Sequence, residues 1–97
     1  MELEIGYLGG NKIAVNLKSG RQSIETVDFE FDKNLDTLLI DSIDKILKRN
    51  KIEISSLKSV KLKEKGTFGT FELQKVDKNS SLYKIVRSFQ EALKNLK

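Results

Sequence analysis

The sequence predicts one α/β domain, a mixed sheet of about five strands with two helices packed on it. Three observations carry this. Residues 2–31 alternate apolar and polar in three runs separated by Gly-containing turns, which is the period of a strand. Residues 35–47 place Leu35, Leu38, Leu39, Ile43, Ile46 and Leu47 at helical spacing. Residues 82–96 repeat that spacing with Leu82, Ile85, Val86, Phe89, Ala92, Leu93 and Leu96.

The elements follow in order. Glu2 to Leu8 reads as a first strand, with Leu3, Ile5 and Tyr7 on one side. Gly9-Gly10-Asn11 is a turn of the type that tolerates positive φ. Lys12 to Leu17 is the second strand, and Lys18-Ser19-Gly20 the next turn. Ser23 to Phe31 is the third, with Val27, Phe29 and Phe31 opposite Thr26, Asp28 and Glu30, a pattern that suits an antiparallel meander with one wet face. Asp32 or Asn34 is placed to cap the first helix. That helix ends near Asn50, with Asp36 at its start and Lys48 and Arg49 at its end in accord with its dipole. After a connection in which Ile52, Ile54 and Leu57 can reach the core edge, Ser59 to Lys65 reads as a fourth strand. The helix between makes it parallel to an earlier strand. Gly66 to Thr70 is a hairpin turn into a fifth strand, Phe71 to Val76, or else a functional loop. A polar loop, Asp77 to Ser81, ends in a cap for the second helix. The core is expected to include Leu39, Ile43, Ile46, Val86, Phe89 and Leu93.

Length and composition bound the function. Ninety-seven residues fit one domain with a modest core. There is no Cys, which excludes disulfides and thiolate metal sites. There is no His, which removes the commonest general base and metal ligand. Asp41 and Asp44 lie one helical turn apart without further ligands, so they read as a solvated face. Ser55-Ser56 and Ser80-Ser81 have no base beside them and read as caps. Neither a signal peptide nor a membrane-length apolar run is seen, and a cytoplasmic protein is expected. No catalytic residue, cofactor or metal is expected, and no ATP binding.

The charge is uneven. The net charge is +4. Glu25, Asp28, Glu30, Asp32, Asp36, Asp41 and Asp44 gather the acid into residues 25–44, and the chain from Lys45 onward is basic. Lys58, Lys61, Lys63 and Lys65 form a row along the fourth strand that can meet phosphates of RNA. The row lacks interleaved aromatics, and a charged strand that deters edge-to-edge aggregation is the plainer account. The helices suggest a second surface. Their apolar stripes are wider than one sheet face covers, with Ile40 flanking the first and Tyr83 the second. An interface for a protein partner or a second copy is therefore expected on Ile40, Ile43 and Leu47 with Leu82, Tyr83 and Val86.

The order of elements resembles the first half of the actin-like, ribonuclease H-like ATPase fold, and within that fold several segments resemble the TsaB (YeaZ) family. The similar segments are Leu3-Glu-Ile-Gly-Tyr-Leu8 with Ile13-Ala-Val-Asn-Leu17, Leu38 to Leu47, Ile54-Ser-Ser-Leu57-Lys-Ser-Val60, and Gly66-Thr-Phe-Gly-Thr70 in place of the family's G-P-G-S-F-T-G. The departures are Gly6 where active members of the fold carry an acidic residue, the missing Pro, an insertion at 71–79 and the absent second half. The resemblance implies a non-catalytic scaffold in synthesis of the threonylcarbamoyladenosine base of tRNA. It would pair through its two helices in a four-helix arrangement and touch tRNA at most indirectly. A small basic RNA-binding module is the alternative. A ribonuclease H-like hydrolase is disfavoured by Gly6, where the first metal carboxylate would stand.

Overall fold

A computed structural model describes residues 1–95. Three antiparallel strands, β1 (Glu2–Gly9), β2 (Lys12–Ser19) and β3 (Gln22–Glu30), are followed by helix α1 (Leu35–Arg49) and a short 3-10 turn at Ile54–Ser56. Strand β4 (Ser59–Lys63), a two-residue ribbon of β5 (Thr67–Phe68) and β6 (Phe71–Glu72), and helix α2 (Ser81–Asn95) complete the chain. The main sheet has the order β3-β2-β1-β4, with β4 parallel to β1. The expected meander, crossover helix and parallel fourth strand are all present.

The fifth strand is not. Residues 71–76 do not join the main sheet. The chain folds back at Gly69 and Thr70, pairs Phe71 with Phe68, and reaches the backbone of the main sheet through a bridge from Gln74 to Tyr7. The sheet therefore has four strands and the hairpin is a separate piece. Its side chains show why. Phe68 and Leu73 are buried with Ala14 against the face of the sheet opposite the helices, joined by Leu8 and Phe71. They cover the sheet from outside and leave its edge as it was.

The other face carries the main core. Leu3 and Ile5 of β1, Ile13, Val15 and Leu17 of β2, and Val60 of β4 meet Leu39, Ile43 and Ile46 of α1 and Leu82, Val86 and Leu93 of α2. Helix α1 lies over β2 and β3, and α2 over β4. The expected core residues are buried except Phe89, which is half-buried and packs at the rim. Ala92 is exposed, and Leu96 lies outside the described residues.

The helix ends are specific. Ser80 caps α2, its Oγ accepting from the Tyr83 amide at 3.2 Å. Helix α1 starts at Asn34 without a side-chain cap, because Asn34 Oδ1 turns back to the Asp32 amide instead. Its C-terminus closes with crossed bonds, Ile52 N–H to Leu47 O at 2.9 Å and Lys51 N–H to Lys48 O at 3.1 Å. This is the Schellman arrangement, which needs a left-handed residue between. Lys51 takes that role at φ 56°, where glycine would avoid a cost of about 1–2 kcal/mol.

A polar cluster fixes the register on the hairpin side of the sheet. Asn16 is 5% exposed. Its Oδ1 accepts from Ser23 Oγ at 2.6 Å and Thr26 Oγ1 at 2.8 Å, and its Nδ2 donates to Glu4 Oε1 at 3.4 Å. One side chain thus ties β1, β2 and β3 together, and a one-residue slip would break every bond.

Two outcomes follow for stability in urea. Ile46→Ala should cost about 2–5 kcal/mol, as for a fully buried aliphatic, and Phe89→Ala clearly less. Lys51→Gly should stabilise by about 1 kcal/mol. A loss with Lys51→Gly would show that the left-handed residue carries no strain.

Candidate protein interface

The helix layer leaves an apolar trough where α1, α2 and the 52–55 segment meet. Ile40 is 55% exposed and Ile54 40% exposed. A depression of about 550 Å³ holds Ile40, Ile52, Ile54 and Phe89, with Asp44, Lys48 and Glu53 on its rim. A second, of about 400 Å³, continues it past Ile40, Ile85, Phe89 and Ala92, with Asp36 and Lys84 alongside. Ile40 and Phe89 line both, so the two form one surface. The helical spacing dictates this. Ile40 sits one position off the buried row of Leu39, Ile43 and Leu47, so it points out of the core, and half-buried Phe89, on the Val86 side of α2, meets it across the seam between the helices.

The six residues expected at an interface separate on this geometry. Ile43, Leu47, Leu82 and Val86 are interior, between 2% and 5% exposed. Of these, Ile43 and Leu47 reach the floor of the trough. Tyr83 is half-buried and on the other flank of α2, lining a depression with Lys61, Leu62 and Arg87. Ile40 and Tyr83 therefore line different depressions. The residues that pattern reading missed are Ile52, Ile54, Ile85 and Phe89. Ile85 and Phe89 look like core in a helical stripe, and Ile54 is in a non-periodic segment, so only the packing reveals them.

The lysine row is less uniform than the alternation suggests. Lys58, Lys61 and Lys65 are exposed. Lys61 Nζ is 4.0 Å from Glu2, and Lys63 lies over the Phe68 ring with its Nζ 5.6 Å from the centroid. Strand β4 ends at Lys63, so Lys65 leaves the row.

Gly6 is filled over. It lies on the hairpin face of β1, and a Cβ placed there would be 2.3 Å from Leu73 Cδ2 and 3.0 Å from Phe68 Cε2. The absent side chain is what lets the hairpin seat on the sheet. Leu73 N–H donates to Gly66 O at 2.9 Å and Gln74 N–H to Tyr7 O at 2.7 Å, which fixes the hairpin against the end of β1. Glu64 closes the segment by accepting from the Val76 amide at 2.9 Å. Among the described residues, no three His, Cys, Asp or Glu side chains gather to hold a metal, and no helix is long and apolar enough to cross a membrane.

Comparison with known proteins finds no matching family model, no matching curated protein and no matching solved structure.

The close approach at Gly6 has a measurable consequence. Gly6→Ala should destabilise by about 1–3 kcal/mol through overpacking, and Leu73→Ala in the same chain should return part of the loss. Additive costs in that double-mutant cycle would show that the two positions do not meet.

Proposed function

We propose that the protein is a non-catalytic scaffold that binds a protein partner through the trough between α1 and α2. We read it as a TsaB-like domain of the ribonuclease H-like type, serving the tRNA threonylcarbamoyladenosine system in the cytoplasm. The observation that carries the reading is the exposed apolar seam of Ile40, Ile54, Ile85 and Phe89 across two helices. Isolated exposed apolar residues are ordinary, but a contiguous patch rimmed by charge is the composition of an interface core. Its rim carries both signs, Asp36 and Asp44 from α1 with Lys48 and Lys84, which favours a partner surface of mixed charge.

The order of strands supports the family reading. A three-stranded meander, a crossover helix and a parallel fourth strand beside the first is the arrangement that the resemblance leads one to expect. Gly6 supports the non-catalytic part. The first-strand position where the fold's active members hold a carboxylate is roofed by Phe68 and Leu73, which leaves no room there for nucleotide phosphates.

The test is affinity capture from the native cell with wild-type and Ile40→Lys bait. Wild-type bait should recover proteins of threonylcarbamoyladenosine synthesis. The variant should lose them while keeping the wild-type melting temperature, since Ile40 is a surface residue. Because the contact is apolar, capture should change little between about 0.1 and 0.5 M salt, where the Debye length shortens about twofold. Recovery of RNA that falls steeply with salt, unaffected by Ile40→Lys, would support the lysine row as the working surface and reject the trough.

A further inference from the structure

Among the described residues, no strand pairs with the outer edge of β3 or of β4. The two edges are opposite in charge. Residues 22–44, which form β3 and most of α1, hold seven carboxylates against one lysine, Lys33. The β4 edge is flanked by α2 across two shallow grooves of about 360 and 320 Å³. Lys61, Arg87 and Lys94 line them, with Glu64 and Glu91 as the counter-charges.

The backbone groups on each edge follow from alternation. Gln90 Nε2 donates to Val60 O at 2.7 Å, so Val60 turns its carbonyl to the open side of β4. Leu62, two residues on, faces the same way. On the other edge, Phe31 N–H donates to Asn11 O at 2.9 Å, which puts the odd-numbered residues of β3 toward β2. Thr26, Asp28 and Glu30 therefore present their backbone groups outward.

The direction of the strands decides what can dock. Strand β3 is antiparallel to β2, β2 to β1, and β1 parallel to β4, so β3 and β4 run the same way. A second copy displaced sideways along the sheet brings its β3 beside β4, parallel, with its helices on the same side. In a parallel ladder one residue bonds to the two that flank its opposite number. Val60 opposite Val27 thus bonds to Thr26 and Asp28, and Leu62 opposite Phe29 bonds to Asp28 and Glu30. Those are the residues whose backbone faces outward, and the Asp28 amide takes the place of Gln90 on Val60 O. The side chains match in the same register. Lys61 stands opposite Asp28 and Lys63 opposite Glu30. The apolar pairs continue the helix-side core, and the two ion pairs lie on the hairpin side. Opposite charges and apolar pairs directly across strands both stabilise the pairing. The helices fit as well. Helix α1 lies over β2 and β3 and α2 over β4, on one face, so the next α1 arrives on the same side of the sheet as α2. Pairing β4 with β4 of another copy would instead set lysine against lysine, and like charges directly opposite are destabilising.

We propose that the β4 edge of one molecule receives the β3 edge of another, extending the sheet head to tail. Each molecule offers both edges, so the contact is heterologous and does not close at two copies. It uses a surface separate from the helix trough.

The experiment is sedimentation velocity over a concentration series at low salt, in an Ile40→Lys background so that the trough contributes nothing. The parent should sediment faster as concentration rises, past the dimer value, and added salt should reverse this. Lys61→Glu alone and Asp28→Lys alone should each weaken association tenfold or more, because each makes the contact like-charged. An equimolar mixture of the two should restore it, because chains alternating along the sheet then bring opposite charges together at every contact. If Asp28→Lys fails to fold by circular dichroism, Glu30→Lys opposite Lys63 replaces it, paired with Lys63→Glu. A parent that stays monomeric at about 1 mM, a Lys61→Glu chain that associates like the parent, or a mixture that stays monomeric would each overturn the proposal.

Discussion

Strand β1 joins the two halves of the sheet, pairing antiparallel with β2 on one edge and parallel with β4 on the other, and the other elements take their positions from it. Leu3 and Ile5 are fully buried beneath the helices. Gly6, on the reverse, admits the hairpin. Its two ends also hold the crossovers. Met1 O receives the Lys58 amide and so aligns β4, while Tyr7 O receives the Gln74 amide and so anchors the hairpin. Parallel pairing is non-local and incurs loop-closure entropy before it gains contacts. Here 57 residues separate Glu2 from its partner Ser59, and the cost is offset by Leu57, Val60 and the helix cores that close over the same strand.

Much of this fold was legible because its signals are periodic. Alternation in residues 2–30 located three strands within a residue or two, and the 3.6-residue stripes located both helices. The misses have separate physical causes. A stripe gives a face and not the depth of burial along it, so Phe89 read as core although it is half-buried. For the same reason one interface was expected to hold both Ile40 and Tyr83, which line different depressions. The 71–76 segment has β-forming residues and no intrinsic signal of where they pair. That was decided by Phe68 and Leu73 finding an apolar surface at Ala14 and Gly6. The end of α1 near Asn50 was readable, but its Schellman closure was not, because Lys51 stands where glycine usually marks the motif.

The candidate surface was legible in kind and not in membership. Width of the helical stripes was enough to expect an apolar surplus. Which residues form it depends on how the 52–55 segment crosses the helix ends, and Ile52 and Ile54 carry no period that would reveal it. Asn16 was missed for a related reason. An Asn inside an alternating strand reads as a wet-face residue, yet its burial with Glu4 makes it the point at which three strands are held in register.

The sheet gives the molecule two kinds of surface that differ in physics. The trough is apolar and two-signed at its rim, so association there is driven by area removed from water and tolerates salt. The strand edges offer backbone groups and charge mainly of one sign at each, so the proposed association there is directional and sensitive to salt. The trough runs along the seam of the helix layer, and the edges lie to either side of it. Burying one does not bury the other, because α1 and α2 separate them. A fold of 97 residues with one modest core would lose stability if it exposed more apolar area than the trough already does. Polar edges with matched charge are the surface it can add without that cost. In the proposed edge contact, the acid of the β3 side meets the base of the β4–α2 side.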